Sequence, residues 1–390
     1  MNSFYLQLEQ ELESLKEQSN LRVDREITNA SSNKYITIKN QKLLNLSSNN
    51  YLGLANHPQI IRKAKDTLEY FGLGSGSSRV VSGTTSIHKE LEYQLAKFQN
   101  REDSLLFSSG FCANYGVINA ITKRGDLIIS DKLNHASIID GALHSSADFK
   151  RYRHCDMNHL EDILKSQKHK RKFIVTDAIF SMDGDFAPLK SICYLKEKYN
   201  AILIVDEAHS EGIFGTNGEG LANELKLSDK VDIHIGTFGK AYGVFGAYVS
   251  SKKIVIDYIK NRSRAFIYTT AIPPSIAGGI LASLELIKSD IGKNLRVNLK
   301  ENFNYLHKNL RKLGFNILNT NSQITPILIP TNKRVVNFSN YLLKNGIYAV
   351  AIKHPTVAKN QERVRVSLMA TNTKDEIDYF LKVAKEAYGR

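Results

Sequence analysis

Lys240 lies in Ile-Gly-Thr-Phe-Gly-Lys-Ala-Tyr-Gly, residues 235 to 243, and Asp-Glu-Ala-His occupies residues 206 to 209 upstream. An amine on a glycine-flanked turn, with an acid and an imidazole placed before it, suggests a carbonyl cofactor held as a Schiff base. A lysine near a cationic or apolar surrounding titrates low and attacks carbonyls. Asp206 ends the apolar run Ala-Ile-Leu-Ile-Val. A carboxylate at the end of a buried strand is costly unless it is paired or hydrogen-bonded. A protonated pyridine nitrogen would be a suitable partner for it.

Three further clusters follow short apolar runs. Ser-Ser-Gly-Phe-Cys-Ala-Asn, residues 108 to 114, places a glycine between a strand and a helix; N–H groups at such a helix start can hold a phosphate, although a glycine there also serves as a plain turn. Asp131 and His135 come after Leu-Ile-Ile-Ser, where a histidine can face a ligand or simply cap a helix. Asp-Ala-Ile-Phe-Ser-Met-Asp-Gly, residues 177 to 184, sets Ser181 at a sheet edge, either toward a ligand or within a turn. Together the clusters supply a phosphate cradle, a ring-stacking imidazole, a pyridinium partner and an amine nucleophile.

The elements that would position these residues are legible as alternation. Candidate strands are Ser104 to Phe107, Leu127 to Ser130, Phe173 to Thr176, Ala201 to Val205, Ile233 to Gly236 and Gly246 to Val249, with helical patterns between most of them. Short apolar strands separated by helices predict an α/β fold with a mostly parallel sheet covered on both faces. Open sheets of this kind bind ligands beyond the carboxyl ends of their strands, where the clusters fall. After about Pro274 the pattern changes to two long helical stretches, strands near Pro326 to Ile329 and Arg363 to Leu368, and a closing helix. The expected domains are a helical arm with short strands over 1–45, a large α/β domain over 46–285 and a small α+β domain over 286–390.

Composition excludes several classes. The 390 residues are 42% hydrophobic and 24% charged, ordinary for a globular enzyme, and no apolar run approaches the roughly 20 residues of a membrane span. The acidic start, with Leu8, Leu12 and Leu15 at helical spacing, is unlike a basic signal or transit peptide, so a cytoplasmic location is expected. Cys112, Cys155 and Cys193 are odd in number and far apart, which fits a reducing compartment and argues against a structural metal. The net charge of +14 raises nucleic acid or an acidic partner, but the 53 lysines and arginines are scattered apart from the run Lys168, Lys170, Arg171 and Lys172.

Asp-Glu-Ala-His after an apolar strand also matches the Walker B box of an ATP-driven nucleic-acid enzyme. That class needs Gly-x-x-x-x-Gly-Lys-Ser/Thr to cradle a triphosphate. Gly236-Thr-Phe-Gly-Lys-Ala is too short, and Gly74-Ser-Gly-Ser-Ser-Arg lacks the lysine.

Six ordered motifs resemble another family. These are Ser-Ser-Asn-Asn-Tyr-Leu-Gly-Leu (47 to 54), Gly-Ser-Gly-Ser-Ser-Arg-Val-Val-Ser-Gly (74 to 83), Asp-Lys-Leu-Asn-His-Ala-Ser (131 to 137), Phe-Ser-Met-Asp-Gly-Asp (180 to 185), Asp-Glu-Ala-His and Thr-Phe-Gly-Lys (237 to 240). In these the chain is similar to the α-oxoamine synthases from about Leu21 to its end. The resemblance implies a pyridoxal 5'-phosphate enzyme of the fold type I, aspartate aminotransferase-like class, working as a homodimer with active sites at the subunit interface. Such enzymes join an amino acid to an acyl thioester and release carbon dioxide. Ala351-Ile-Lys-His-Pro-Thr-Val and Arg363-Val-Arg-Val-Ser-Leu resemble the branch that uses L-alanine and a pimeloyl thioester, carried on coenzyme A or acyl carrier protein. Ser78 stands where glycine-using members resemble one another in carrying threonine, which implies room for an alanine methyl.

Carried over by position, the resemblance implies that Lys240 binds the cofactor and moves the amino acid's Cα proton, and that Asp206 holds the pyridine nitrogen. It implies that His209 and Ser181 bond the ring hydroxyl and that His135 stacks on the ring. Gly110, Phe111 and Thr237 would hold the phosphate, with Thr270 given by the partner subunit. On the substrate side it implies Arg365 as the carboxylate clamp, Asn49 beside it, and Arg22 and Thr356 in substrate binding. A protonated His135 is expected to polarise the thioester oxygen. His354 and Met-Ala-Thr-Asn (369 to 372) depart from the pattern on the acyl side, which opens other acyl lengths and other amino acids. A non-catalytic homologue would be expected to lose the lysine, and Lys240 is present.

Overall fold

The structure, a computed structural model, describes Ser3 to Gly389. Its packing divides the chain into two units, one of Met1–Tyr51, Met182–Gly184 and Val297–Arg390, the other of Leu52–Ser181 and Asp185–Arg296. In the first unit the chain begins with helix α1 (Ser3–Glu17), where the leucine spacing does produce a helix. None of its described residues is buried, and Phe4, Leu8, Leu12 and Leu15 stay exposed. A hairpin follows, β1 (Tyr35–Ile38) and β2 (Gln41–Asn45), paired antiparallel.

The second unit holds a seven-stranded sheet formed by β3 (Asp103–Phe107), β4 (Asp126–Asp131), β5 (Asp148–Tyr152), β6 (Arg171–Asp177), β7 (Ile202–Asp206), β8 (Ile233–Thr237) and β9 (Ala247–Ser251), in the order β3-β9-β8-β7-β6-β4-β5. All the predicted strands of this region are present. Strands β5, β4, β6, β7 and β8 run parallel, while β9 is antiparallel to both of its neighbours. Every residue of β4 is buried, as are the last five of β6 and the last four of β7, which is why these strands read as unbroken apolar runs. β5 was not foreseen. Its sequence, Asp-Phe-Lys-Arg-Tyr, is the polar and mostly exposed kind that suits a sheet edge, because charged side chains discourage further pairing.

Helices cover the sheet, among them α2 (Pro58–Phe71), α3 (Ser86–Phe98), α4 (Gly110–Ile121) and α5 (Ala136–Leu143). Val117 and Ile118 of α4 and Ile138 of α5 pack with Ile128, Val175, Ile204 and Ile235 of the strands in one buried apolar cluster. Hydrophobic burial of this extent is the main force that fixes the sheet and hence the loops at its carboxyl edge.

The first unit also contains β10 (Ile324–Leu328), β11 (Ile347–Tyr348), β12 (Val350–Ile352) and β13 (Arg363–Ser367). β13 lies between β10 and β12, antiparallel to both, and β11 adds in parallel to β2. That β2–β11 pairing joins the N-terminal segment to the C-terminal one in a single unit, a long-range match that no local pattern announces. Among the described residues no helix is long and apolar enough to cross a membrane.

Gly278 of the helix Pro274–Lys288 shows how closely the second unit is packed. A Cβ there would lie 2.1 Å from Thr67 Oγ1 and 2.8 Å from Thr67 Cβ on α2. Alanine would gain about 1 kcal/mol in helix propensity, but overpacking costs about 1–3 kcal/mol. Gly278→Ala is therefore expected to lower the thermal midpoint, and a variant as stable as the native chain would show that the helices separate at no cost.

Candidate active site

Five turns at the carboxyl edge of the sheet converge on one cavity of about 170 Å³, lined by Gly110, Phe111, Asn114, His135, Ser137, Asp177, Ser181, Asp206, Ala208, His209, Thr237 and Lys240. Eight of these are residues the sequence nominates. Asn114, Ser137, Asp177 and Ala208 were not nominated as site residues.

The first turn leads from β3 into α4. Ser109 caps this helix, its Oγ accepting from Cys112 N–H at 3.1 Å. The N–H groups of Gly110 and Phe111 precede the first intrahelical carbonyl partner, so the helix offers donors and the positive end of its dipole to an anion.

Asp206 and Asp177 end adjacent parallel strands and are register partners. Asp206 is buried; its Oδ1 accepts from Ala208 N–H at 2.8 Å and its Oδ2 from Asn114 Nδ2 at 2.6 Å. Asp177 accepts from the backbone N–H of His135 at 2.8 Å. Burial, and then the neighbouring charge of Asp206, push the Asp177 carboxyl well above the usual carboxylate range.

His135 caps its own helix. Its Nδ1 accepts from Ser137 N–H at 3.2 Å and lies 2.7 Å from Ser137 Oγ, which in turn accepts from Asn114 Nδ2 at 3.0 Å. An accepting Nδ1 leaves the neutral ring with its proton on Nε2. Although the ring is open to the cavity, desolvation lowers its pKa, opposed by Asp206 and reinforced by Lys240. The shift favours the neutral ring, whereas the sequence reading expects a protonated one. Asn114 was missed although a signal existed, since it lies four residues after Gly110 and so one helical turn further along the same face.

The Lys240 turn is closed by Gly243 N–H donating to Lys240 O at 2.9 Å. Gly243 has φ +68, and a Cβ there would lie 2.4 Å from Ala55 N, so no other residue fits without moving the turn. Thr237 Oγ1 donates to Gly246 O at 3.0 Å.

Two sequence features have structural duties instead. Glu207 of Asp-Glu-Ala-His accepts from Leu221 N–H and Ala222 N–H at 2.8 Å each, and from Ser210 Oγ. It caps a short helix, whereas a Walker B glutamate must face a nucleotide. Asp131 is engaged by His154, which also bonds Asp185, at 2.9 and 2.8 Å. Burial opposes the charge on His154, but the hydrogen bonds to the two carboxylates outweigh it and push its pKa up to about 12. Cys155 Sγ stands close to this pair, but with both ring nitrogens of His154 spent the group reads as an ion pair.

The nominated substrate residues Arg365, Asn49, Arg22 and Thr356 belong to the other unit. There Arg365 is buried, with Nη1 donating to Ser367 Oγ at 2.8 Å and Asn49 Oδ1 at 3.2 Å, and Nη2 to Tyr51 Oη at 3.3 Å. Arg22 and Thr356 are exposed. Thr270 is an exposed residue bridged to Ser78 and does not line the cavity.

With this geometry in view, the chain matches the family described as aminotransferase class I and II over residues 41–383. It is 43% identical over 385 residues to a Bacillus cereus protein provisionally named 8-amino-7-oxononanoate synthase, covering 97% of each chain. Among solved structures it is similar to a serine palmitoyltransferase holding a PLP internal aldimine, with TM-score 0.93, 29% identity, and 99% and 97% of the two chains covered. It is similar as well to an 8-amino-7-oxononanoate synthase from Francisella tularensis, with TM-score 0.78, 29% identity, and 89% and 98% covered. The chain belongs to the class I and II aminotransferase family, within its α-oxoamine synthases. It is an acyltransferase of fold type I that uses pyridoxal phosphate.

The donor set suits that cofactor: a lysine amine, a buried carboxylate for a pyridinium N–H, and helix-start amides for a phosphate. Nitrogen-15 NMR of the cofactor-free protein near pH 7 should find His135 neutral with its proton on Nε2, titrating below an ordinary imidazole. A doubly protonated ring at that pH would overturn the assignment.

Proposed function

We propose that this chain condenses L-alanine with a pimeloyl thioester, on coenzyme A or acyl carrier protein, giving 8-amino-7-oxononanoate, carbon dioxide and free thiol in biotin biosynthesis. The observation that carries the reading is the convergence of Lys240, Asp206, His209, His135, Ser181, Gly110, Phe111 and Thr237 on one cavity. The name borne by the 43% identical relative supports the choice of substrates.

Pyridoxal phosphate, when bound, supplies an electron sink for the pair left at the amino acid's Cα. The chain's own residues do the rest. Asp206, pre-set by the N–H groups of Asn114 and Ala208, would receive the pyridine N–H and keep that nitrogen protonated. Gly110 and Phe111 N–H groups would hold the phosphate, together with Thr237, whose hydroxyl donates to Gly246 O in this structure. His209 and Ser181 would bond the ring hydroxyl, and His135 would stack on the ring. Lys240 would hold the cofactor through its amine and, once released, would move the proton at the amino acid's Cα. His135 would donate a hydrogen bond from Nε2–H toward the thioester oxygen.

On the substrate side Arg365 clamps the amino-acid carboxylate with Asn49 beside it, since a guanidinium pairs bidentately with a carboxylate. Arg22 receives the far carboxylate of the pimeloyl chain, and Thr356 lines the acyl side. The enzyme works as a homodimer in which Thr270 of one copy completes the phosphate site of the other. The likeness to serine palmitoyltransferase supports a second reading, with a different amino acid and a longer acyl chain.

A mass spectrum of the product from L-alanine and pimeloyl-CoA with the cofactor-loaded protein decides between them. An 8-amino-7-oxononanoate ion is expected; its absence with L-alanine but turnover of serine and a long acyl thioester would favour the second reading. Lys240→Ala should fold, bind the cofactor without a covalent link and lose turnover. Arg365→Lys should raise KM for the amino acid roughly tenfold or more, because an ammonium cannot replace the bidentate fork.

A further inference from the structure

Glu211 is buried, 2% exposed, two residues after His209, and the chemistry above leaves it unused. Its Oε1 is crowded with donors: Tyr242 Oη at 2.8 Å, Gln99 Nε2 at 3.3 Å, and Tyr248 Oη. Gln99 Nε2 also reaches Tyr248 Oη at 2.8 Å and Glu219 O at 3.1 Å. Oε2 has no hydrogen-bond partner among the described residues. It fills the space that a side chain at position 236 would need, since a Cβ on Gly236 would lie 2.0 Å from it.

A carboxylate placed this way is expensive. Among the described residues no ion pair includes Glu211, and the groups around it are two phenols, an amide, the acids Glu207 and Glu219, and His234, whose Nε2 is 3.4 Å from Tyr248 Oη. Burial, and then Arg101, lower the pKa of His234 to about 3, so it brings no charge to offset the acid. Burial, reinforced by Glu207 and opposed by the phenols, raises Glu211 to about 8. A buried acid with one oxygen unpartnered is retained where position matters more than stability.

The position it fixes is specific. Glu211 continues the turn that carries Asp206 and His209, and its backbone N–H donates to Glu207 O at 2.9 Å. Tyr242 belongs to the Lys240 turn, two residues past the lysine, and its carbonyl accepts from Ser283 Oγ at 2.7 Å. Tyr248 belongs to β9 and Gln99 follows α3. Phe238, also in the lysine turn, stacks on Tyr248 with ring centroids 5.3 Å apart and planes 13° apart, and meets Tyr242 edge-on at 5.3 Å. The Glu211–Tyr242 bond thus ties together the two turns that carry the site's acid, imidazole and amine.

We propose that Glu211 is a positioning residue that, through Tyr242, holds the Lys240 amine in register with Asp206 and His209. The proposal rests on Lys240 as the cofactor lysine. Its test uses the full-length protein stripped of cofactor and titrated with pyridoxal phosphate. The dissociation constant and the pH midpoint of the visible absorbance are the readouts, and neither requires turnover.

Glu211→Leu, which removes the acceptor, is expected to weaken cofactor binding roughly tenfold and to move the midpoint by about half a pH unit or more. Glu211→Gln keeps an acceptor and should restore most of the affinity. Tyr242→Phe, which cuts the link at the lysine turn and leaves the acid in place, should reproduce the Leu effect, whereas Tyr248→Phe should move the midpoint less. A folded Glu211→Leu with native affinity and midpoint overturns the proposal. If Glu211→Leu does not fold, Tyr242→Phe decides: unchanged values overturn the proposal and shifted values sustain it. No visible band in the unaltered protein overturns the cofactor-lysine reading and this proposal with it, while a normal band with unmoved variants overturns this proposal alone.

Discussion

The parallel register that places Asp177 opposite Asp206 at the carboxyl edge of the sheet is the constraint on which the site depends. Two carboxyl groups side by side in a buried place cannot both carry charge cheaply. The structure resolves the conflict unequally. Asp206 is given two N–H donors, from Asn114 and Ala208. Asp177 is pushed toward its neutral form and accepts from the His135 backbone. One member of the pair is thereby prepared as an acceptor, the role proposed for it toward a pyridinium, and the other accepts from the backbone that places the imidazole.

Much of the remaining architecture keeps that edge in place. Asn134, just before His135, donates from Nδ2 to Val175 O at 2.7 Å and accepts from Asp177 N–H at 3.0 Å, so it stitches the loop after β4 to the end of β6. Asn114 spans α4, the Ser137 hydroxyl and Asp206, and its own Oδ1 is left buried without a partner among the described residues. An unsatisfied acceptor costs about 1–3 kcal/mol, a loss set against the two bonds its amide nitrogen makes inside the cavity. Around Glu211 the same trade recurs, with Oε1 bonded to Tyr242 of the lysine turn and Oε2 left without a partner among the described residues.

The site was legible in the sequence wherever chemistry and local pattern coincide. Asp206 declared itself as an acid closing an apolar run, and Lys240 as an amine among glycines and aromatics. Gly110 and Phe111 declared themselves at a strand-to-helix junction. Glu207 was misleading for the same reason: four letters following a strand fit two chemistries, and only the capping bonds to Leu221 and Ala222 distinguish them. The direction of the His135 pKa shift could not be read either, since it depends on burial and then on Asp206 and Lys240, which are far along the chain.

The sequence by itself determined six of the seven strands of the sheet, all but the polar edge strand β5, because period and apolarity are local properties. It also determined which residue types stand at the strand ends. Only the tertiary structure decided which of those residues meet. The pairing of β2 with β11, the Asp177–Asp206 register, the passage of Asn114 between Asp206 and Ser137, and the Glu211–Tyr242 bond all join residues distant in sequence. Such contacts follow from packing the whole core at once, and the protonation states within the site follow from the burial and neighbouring charges that this packing creates.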